Sequence, residues 1–246
     1  MLIQGTNHSD VLFAGNLTDD VFRGFKGVDF ITGWDGNDTI YGGAGGDVIR
    51  GCMGNDADFG GHGNDVIYDT DGWNQVLCGT GNDYAQVLGV AVGGKGADDL
   101  WSIGGATYGD EGPGLPHLAT GADHLSTFFV DNPWLGRTFV GGGGADTFFA
   151  GMDPADNVGT RLDVLDFTPG TDKLHVTSGV DEAQTFAKFD TDHNGVIDGK
   201  DPWTADVTGV TGTWSDPNAN ATVLYDHGDL VAVWGTQHLA AHDFIL

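Results

Sequence analysis

The chain repeats a nine-residue pattern in which glycines and polar residues fill the first six positions and an apolar residue returns at position eight. In register from Gly24, seven units run without a gap to Gln86, beginning GFKGVDFIT, GWDGNDTIY and GGAGGDVIR. Two units precede them at residues 5–13 and 15–23, and isolated full or partial copies follow at 93–101, 120–126 and 141–149. Position six is almost always Asp.

Each unit predicts a tight turn followed by a short strand. A glycine-rich stretch of six residues can adopt positive φ, and the last three residues form a strand that points one side chain inward. Two units per coil would build a parallel β-roll, with position-eight side chains in the core and turns stacked along both edges. A low-complexity linker would not keep an Asp-x-apolar phase over so many units. The sequence therefore predicts an all-β solenoid.

The charge of the chain indicates what the turns bind. The 36 acidic residues face only 9 Lys and Arg, a formal charge of -27, and this repulsion opposes folding unless cations neutralise it. Nucleic acid is not expected as a partner, since phosphate binding needs a basic surface. Calcium prefers six to eight oxygen ligands, which stacked carboxylates and backbone carbonyls can supply. We therefore expect multiple Ca²⁺ ions.

The expected ligands in the turns are the position-six aspartates, and partners eighteen residues apart should share an edge of the roll. Asp29, Asp47, Asp65 and Asp83 would form one row, and Asp20, Asp38 and Asp56 would form the other. The full predicted set of turn ligands is Asp10, Asp20, Asp29, Asp38, Asp47, Asp56, Asp65, Asp83, Asp98, Asp123 and Asp146.

These repeats resemble those of the RTX, or hemolysin-type, calcium-binding family, continuously over residues 5–101. The resemblance implies a β-roll, or calcium-stacked solenoid, in a secreted protein. Asn74, Asp58 and Ala85 depart from the pattern, so we expect the roll to be weakest or distorted around residues 51–86. An ice-binding roll would need a flat array of Thr and Asn, but Thr80 stands nearly alone at position three.

Glycine becomes less frequent after Gly151, and ordinary strand patterns return. The segments VLDFTPGTDKLHV at 164–176 and ATVLYDHGDLVAVWG at 221–235 are similar to C-terminal domains of serralysin-type proteases, although the protease half of that family is absent. We predict three parts: the roll at 1–101, an aromatic and glycine-rich insertion returning to repeats at 102–150, and a β-sandwich-like module at 151–246. Residues 102–140 would either cover the roll or dock a partner. Cys52 and Cys78 are expected to be unpaired.

Residues 190–201, DTDHNGVIDGKD, fit an EF-hand-like calcium loop within this module. Glycine stands at loop position 6 and Ile at position 8, and Asp replaces the usual Glu at position 12. Residues 181–189 would form the entering helix, while Pro202 limits an exit helix. The predicted loop ligands are Asp190, Asp192, Asn194, Val196, Asp198 and Asp201.

The chain ends Asp243-Phe244-Ile245-Leu246, an acidic residue followed by three apolar ones. In the RTX family such a terminus resembles the uncleaved signal that type I secretion machinery recognises. Met1 runs into the repeats with no N-terminal signal peptide, and no apolar run is long enough for a transmembrane segment. We therefore expect a secreted, extracellular bacterial protein. The alternative is that these residues are only a terminal strand.

The sequence shows no catalytic motif, neither HExxH nor GxSxG, so we expect no enzyme. The leading hypothesis is a protein that folds on calcium outside the cell and self-assembles as a structural or adhesive component of a surface layer, filament or matrix. A secreted enzyme acting on extracellular glycan or protein through residues 102–160 is an alternative, and two carboxylates could serve a glycosidase. A membrane-active nodulation-type RTX protein is another.

Overall fold

The computed structural model describes residues 1–15, 17–110, 121–128, 137–152, 161–178, 189–197, 201, 204–208, 220–226, 229–236 and 238–245. These residues are nearly all β, and 18 strands belong to one hydrogen-bonded network. A 3₁₀ helix at Ala241–Asp243 follows the last strand. No helix within these ranges is long and apolar enough to cross a membrane.

The strands form two faces of the roll. Three long strands join the faces into one network, because each passes from one face to the other. These are β8 (Val66–Thr80), β9 (Tyr84–Lys95) and β10 (Asp99–Tyr108). The first face also contains β2 (Val11–Phe13), β4 (Phe30–Asp35), β6 (Val48–Met53), β11 (His124–Phe128), β13 (Thr147–Met152) and β15 (Lys173–Ser178). The second contains β1 (Leu2–Gln4), β3 (Val21–Lys26), β5 (Thr39–Ala44), β7 (Ala57–His62), β12 (Arg137–Val140), β14 (Arg161–Val164), β17 (Thr204–Thr208), β18 (Asn220–Asp226) and β19 (Asp229–Trp234).

From β1 to β15, neighbouring strands on each face are parallel and lie one coil apart. On the first face Phe30 pairs with Val48, and Val48 with Val66. On the second face Thr39 pairs with Ala57, and Ala57 with Gln75. Each coil is thus two nonapeptides long, as the eighteen-residue spacing predicts, and the fold is a parallel β-roll.

Position-eight side chains fill the space between the two faces. Phe22, Ile31, Ile40, Ile49 and Ile67 are all fully buried. Since burial of an aliphatic or aromatic side chain contributes about 1.5–3 kcal/mol, this column stabilises the stacked coils. Asp58 occupies the same inward position and is also fully buried. The column of position-eight side chains therefore contains an acidic residue among apolar ones.

The coil length changes after Asp83. β8 makes a turn between Asp69 and Asn74, and residues 70–73 have no partners in β9. β9 has no such turn and passes directly from one face to the other at Gly89, so the register shifts here. The irregularity lies within the predicted weak region of residues 51–86. Strand stacking then continues past residues 101 and 150 to β15. The limits of the three predicted parts remain predictions.

The C-terminal residues end the roll with antiparallel strands. β18 and β19 form a hairpin, with Asp226 opposite Asp229, and β17 pairs with β18. β19 also pairs in parallel with β14, so this hairpin extends the second face. A short strand, β16 (Val196–Ile197), pairs with β20 (Leu239–Ala240). Phe167, Phe189, Ile197 and Leu224 belong to the core of this part.

Tyr108, from the aromatic insertion, is buried, and the role of residues 102–140 stays a prediction. Phe129 and Trp134 of the insertion lie outside the described residues. Both cysteines are free: Cys78 is buried and Cys52 is half-buried. Cys52 has a φ of 79°, and Phe25 and Trp34 share this left-handed backbone at position two of their units. Glycines such as Gly43 and Gly61 occupy the same position elsewhere.

Candidate calcium sites

One edge of the roll carries a continuous ladder of aspartates. The backbone N–H of each aspartate donates to Oδ1 of the aspartate one coil further on. Asp29 N–H donates to Asp47 at 2.8 Å, Asp47 to Asp65 at 2.7 Å and Asp65 to Asp83 at 2.7 Å. The first ladder runs through Asp10, Asp29, Asp47, Asp65, Asp83, Asp98, Asp123, Asp146 and Asp172.

The opposite edge carries a shorter ladder of the same kind. Asp20 N–H donates to Asp38 at 2.8 Å, and Asp38 N–H to Asp56 at 2.7 Å. Asp56 N–H then donates to Oδ1 of Asn74 at 2.9 Å. Asn74 is the last residue of this second ladder, because the next coil crosses at Gly89 without a turn. The two rows expected from eighteen-residue spacing are therefore present as hydrogen-bonded columns.

The ladder uses only one oxygen of each carboxylate. Eight ladder aspartates bury an Oδ2 that has no hydrogen-bond partner within the described residues: Asp29, Asp38, Asp47, Asp56, Asp65, Asp83, Asp98 and Asp123. A buried carboxylate without a partner is costly unless it binds a cation. The second oxygen therefore fits a ligand for calcium, which accepts carboxylates and carbonyls as ligands.

At five of these turns the free oxygen lies beside the first glycine of the turn and close to a backbone carbonyl from the next coil, namely those of Asp29, Asp38, Asp47, Asp65 and Asp98. A Cβ added to Gly24 would stand 2.3 Å from Asp29 Oδ2 and 2.4 Å from the Gly42 carbonyl oxygen. At Gly33 the corresponding neighbours are Asp38 Oδ2 at 2.4 Å and the Gly51 carbonyl oxygen at 2.8 Å. Carboxylate and carbonyl oxygens thus converge at turn after turn, as a calcium site requires. A side chain on the first glycine would fill this space.

Burial also changes the acidity of the ladder. Desolvation raises the pKa of Asp38 to about 6, of Asp65 to about 7 and of Asp123 to about 8. In each case the N–H donated by the preceding ladder aspartate lowers the pKa and neighbouring carboxylates raise it, but desolvation is the largest effect. Bound calcium would act in the opposite direction, since it favours the ionised carboxylate.

We predict that the calcium-free chain is most stable in mild acid. A pKa that is higher in the folded state than the ordinary 3.8 means that folding favours the protonated carboxyl. This contribution is complete below the unfolded pKa and is lost as pH rises through about 6 to 8, the folded values of Asp38, Asp65 and Asp123. The far-UV circular dichroism signal of β structure in chelator should therefore fall from about pH 5 to about pH 8.5.

Saturating calcium provides the control for this pH dependence. Because bound calcium keeps the folded carboxylates ionised, saturating calcium should abolish the loss of structure between about pH 5 and about pH 8.5. Equal stability of the calcium-free chain across this pH range would contradict the prediction.

The ends of the first ladder differ from its interior. Oδ2 of Asp10 accepts hydrogen bonds from Thr6, and Oδ2 of Asp172 accepts the Thr168 N–H at 2.8 Å. Protein donors therefore satisfy the first and last rungs, while the interior rungs from Asp29 to Asp123 keep free oxygens. The assignment of Asp10 as a calcium ligand stays a prediction, like that of Asp20, whose Oδ1 pairs with the Met1 amine.

Asp172 belongs to the ladder although the sequence prediction did not include it. The signal was available, because Asp172 and Leu174 keep the Asp-x-apolar phase and Leu174 is fully buried. Asp110 and Asp166 were also missed. Asp166 accepts the N–H groups of Gly141 and Gly142, and Asp110 accepts that of Gly143. Neither residue follows the nonapeptide phase, so only the folded chain places them beside these turns.

The EF-hand-like loop brings together Asp190, Asp192 and Asp201, with a ligand atom of each within 4.8 Å of the others. Asp190 Oδ2 accepts the Gly195 N–H at 3.0 Å, and Asp201 Oδ1 accepts the Thr191 N–H at 2.7 Å. Asn194 and Val196 also lie in this turn, with a 2.8 Å bond from the Val196 N–H to Asn194 Oδ1. Asp198 and most of the predicted helix at 181–189 lie outside the described residues, and a strand, β17, follows Pro202.

We predict that Asp190→Ala removes one calcium ion and loosens the C-terminal part. Asp190 is buried, and its loss would leave the N–H groups of Asn194 and Gly195 without these acceptors, at about 1–3 kcal/mol. Equilibrium dialysis with metal analysis would count the ions. Asp71→Asn, at an exposed position, is the charge-matched control. An unchanged count in Asp190→Ala would contradict a calcium loop.

A family model matches the repeats that form the two ladders. The family model of the RTX calcium-binding nonapeptide repeat matches in four copies, over residues 14–49, 53–85 and 138–153. Among solved structures, the chain is similar to the extracellular lipase LipA from Serratia marcescens, with 15% identity and a TM-score of 0.27. That match covers 96% of this chain and 40% of the lipase chain, so the chain spans less than half the length of the lipase. No curated protein matches.

Three observations describe the same feature: the nine-residue phase, the paired ladders with free carboxylate oxygens, and the match to the repeat family. The chain carries RTX, or hemolysin-type, calcium-binding nonapeptide repeats, folds as a parallel β-roll and binds calcium ions at multiple sites.

Proposed function

We propose that this is a secreted protein that folds on calcium only after leaving the cell. The observation that carries the proposal is the set of eight buried, unpartnered Oδ2 atoms along the two ladders, within the described part of the chain. Calcium is scarce in the cytoplasm, so these carboxylates would keep the chain open there. Outside, sites that bind in the range of about 10⁻⁴–10⁻³ M would fill, and binding to the folded form alone would stabilise it.

Export would use the terminal residues Asp243, Phe244, Ile245 and Leu246. In the folded chain Asp243 is buried and accepts the Gly170 N–H at 2.7 Å, while Phe244 is nearly buried beside Leu174. Leu246 lies outside the described residues. Folding therefore covers part of the proposed signal, which supports recognition of an unfolded chain by type I secretion machinery.

Deleting the last four residues would test export in bacteria with a type I secretion system. Export should be lost. Leu174→Ala is the matched control, because it weakens the same packing and leaves the tetrapeptide intact. Calcium-induced folding of both purified variants would be measured separately by circular dichroism. Normal export of the deletion variant, or equal loss in both variants, would overturn the proposed signal.

Outside the cell, the roll would act as a structural or adhesive component that associates with further copies of itself. Within the described chain, β1 pairs only with β3 and β2 only with β4. Val11 is 70% exposed and Phe13 is 66% exposed. These side chains line a groove together with Phe30 and Trp34. Open edges beside apolar side chains favour pairing with another edge.

Light scattering and electron microscopy in calcium would test self-association. We expect assemblies of the unaltered chain and monomers of Val11→Lys, which places a charge on β2. Leu77→Lys is the control, because Leu77 is also exposed but lies in the middle of the roll. Monomers of the unaltered chain in calcium would overturn this role. The expectation of no enzymatic activity stays a prediction.

A further inference from the structure

Three acidic residues meet where the second ladder ends. Asp56 belongs to the ladder, whereas Asp58 and Asp69 depart from the repeat: Asp58 occupies the apolar position eight, and Asp69 occupies the first glycine position of its unit. All three are buried, with exposed fractions of 2% for Asp56, 0% for Asp58 and 1% for Asp69. Neither departure fits a core filled by aliphatic side chains.

Asp69 changes the composition of the last turn site. At Gly24 and Gly33, the turn brings one carboxylate oxygen close to one backbone carbonyl from the next coil. At Gly51, a Cβ would instead stand 2.6 Å from Asp56 Oδ2 and 2.7 Å from Asp69 Oδ2. The Asp69 carboxylate therefore lies where neighbouring turns present a carbonyl oxygen, and this turn gains a negative charge.

Asp58 adds a third carboxylate from the second face. It lies in β7 between Ile40 and Val76. Both of its oxygens, both oxygens of Asp69 and Oδ2 of Asp56 are buried without a hydrogen-bond partner within the described residues. Five such oxygens in one region cannot all stay ionised without a cation, because burial of an unpaired carboxylate is strongly unfavourable.

Electrostatic coupling places the three acids in one environment. Desolvation raises the pKa of Asp69 to about 9, and the largest coulombic contribution comes from Asp58, followed by Asp56. Desolvation also raises the pKa of Asp58 well above its ordinary value, with Asp56 again a contributor. The charged groups that raise the pKa of Asp69 in this way are all aspartates: Asp58, Asp56, Asp71 and Asp38.

We propose that Asp56, Asp58 and Asp69 hold one calcium ion inside the roll, in a three-carboxylate site that closes the second ladder. Calcium fits this donor set better than zinc, which prefers nitrogen and sulfur, or magnesium, which demands near-ideal octahedral geometry and keeps its waters. The site goes beyond the repeated turn sites, because two of its three acids lie outside the repeat pattern. It does not depend on export or self-association.

The site also explains why the second ladder can end. The next coil crosses at Gly89 and offers no turn, and Asn74 supplies only an amide at the sixth position. Asp69 opens the turn that stacks on the Asp56 turn and ends at Asn74, so its carboxylate supplies the negative charge that Asn74 lacks. The ion would join both faces of the roll through Asp58.

The test compares the unaltered chain with Asp58→Ile, Asp69→Gly and the double variant. These changes restore the residues that the repeat uses at positions eight and one, so the variants should fold in calcium. Tightly held calcium would be counted by metal analysis after exhaustive dialysis, and unfolding would be followed with and without chelator. Asp71→Asn, an exposed acid of the same segment, is the charge-matched control.

We expect the double variant to hold one calcium ion fewer per chain and to gain less stability from calcium, while Asp71→Asn retains the full count. Terbium luminescence lifetimes in H₂O and D₂O should show one ion with few bound waters, and this population should disappear in Asp58→Asn, which keeps the side-chain shape. The site would be overturned if the double variant kept the full ion count and was more stable both with and without calcium. That result would indicate that the buried acids are protonated. Unchanged terbium lifetimes in Asp58→Asn would overturn it as well.

Discussion

Chelation of calcium is expected to unfold the chain at about pH 8.5, where the ladder carboxylates ionise. The roll buries eight ladder carboxylate oxygens that have no protein partner within the described residues, and the chain carries a formal charge of -27. Without calcium, both effects oppose the folded state, because unpaired buried carboxylates and self-repulsion favour the open chain. Far-UV circular dichroism should lose its β signal. The radius of gyration should rise toward the roughly 54 Å of an unfolded chain of this length.

Adding calcium back should restore both signals cooperatively. Magnesium at the same concentration is the control and should not restore them, since it tolerates irregular oxygen sites poorly. A radius and spectrum that do not change between chelator and calcium would show that the ladders fold without metal.

Gly63→Ala is expected to destabilise the calcium-bound roll by about 3 kcal/mol or more. Gly63 stands at the fourth position of its turn with a φ of +124°, and an added Cβ would lie 2.0 Å from the Gly45 carbonyl oxygen of the preceding coil. The methyl group can fit only if the two coils move apart, which would stretch the Asp47 to Asp65 rung beside it. Urea unfolding in saturating calcium measures the loss.

Gly15→Ala is the matched control. It makes the same substitution in the same roll, but a Cβ at Gly15 meets nothing within 4 Å. Its effect should stay within about 0.5 kcal/mol. If Gly63→Ala unfolds at the same urea concentration as Gly15→Ala, the close spacing of the coils does not limit stability.

The repeat phase is sufficient to predict the roll, its core and its two aspartate rows. The strand period of two determines which side chain points inward. An Asp-x-apolar pattern that returns every nine residues therefore predicts stacked turns and strands with the apolar residue in the core. The phase alone therefore places Ile40 and Ile49 in the core, and Asp38 and Asp56 on one edge.

Other features could not be predicted because they depend on contacts between distant segments. The hydrogen bonds that Asp166 accepts from Gly141 and Gly142 have no local sequence pattern. The crossing at Gly89 shortens a coil, and only the resulting register shift shows why Asn74 ends a ladder. The terminal Asp243 and Phe244 have the pattern of an export signal, but their burial in the folded chain depends on Gly170 and Leu174, about 70 residues earlier.

The two-unit coil also limits how such a gene can lengthen. Duplication of one nonapeptide within the roll would move every later strand to the opposite face and every later aspartate to the opposite edge. The C-terminal part, which pairs with β14 on one face and contacts β15 on the other, would then meet the wrong partners. Duplication of eighteen residues keeps each strand and aspartate in place. The heritable unit of growth is therefore the coil, although the unit visible in the sequence is half of it.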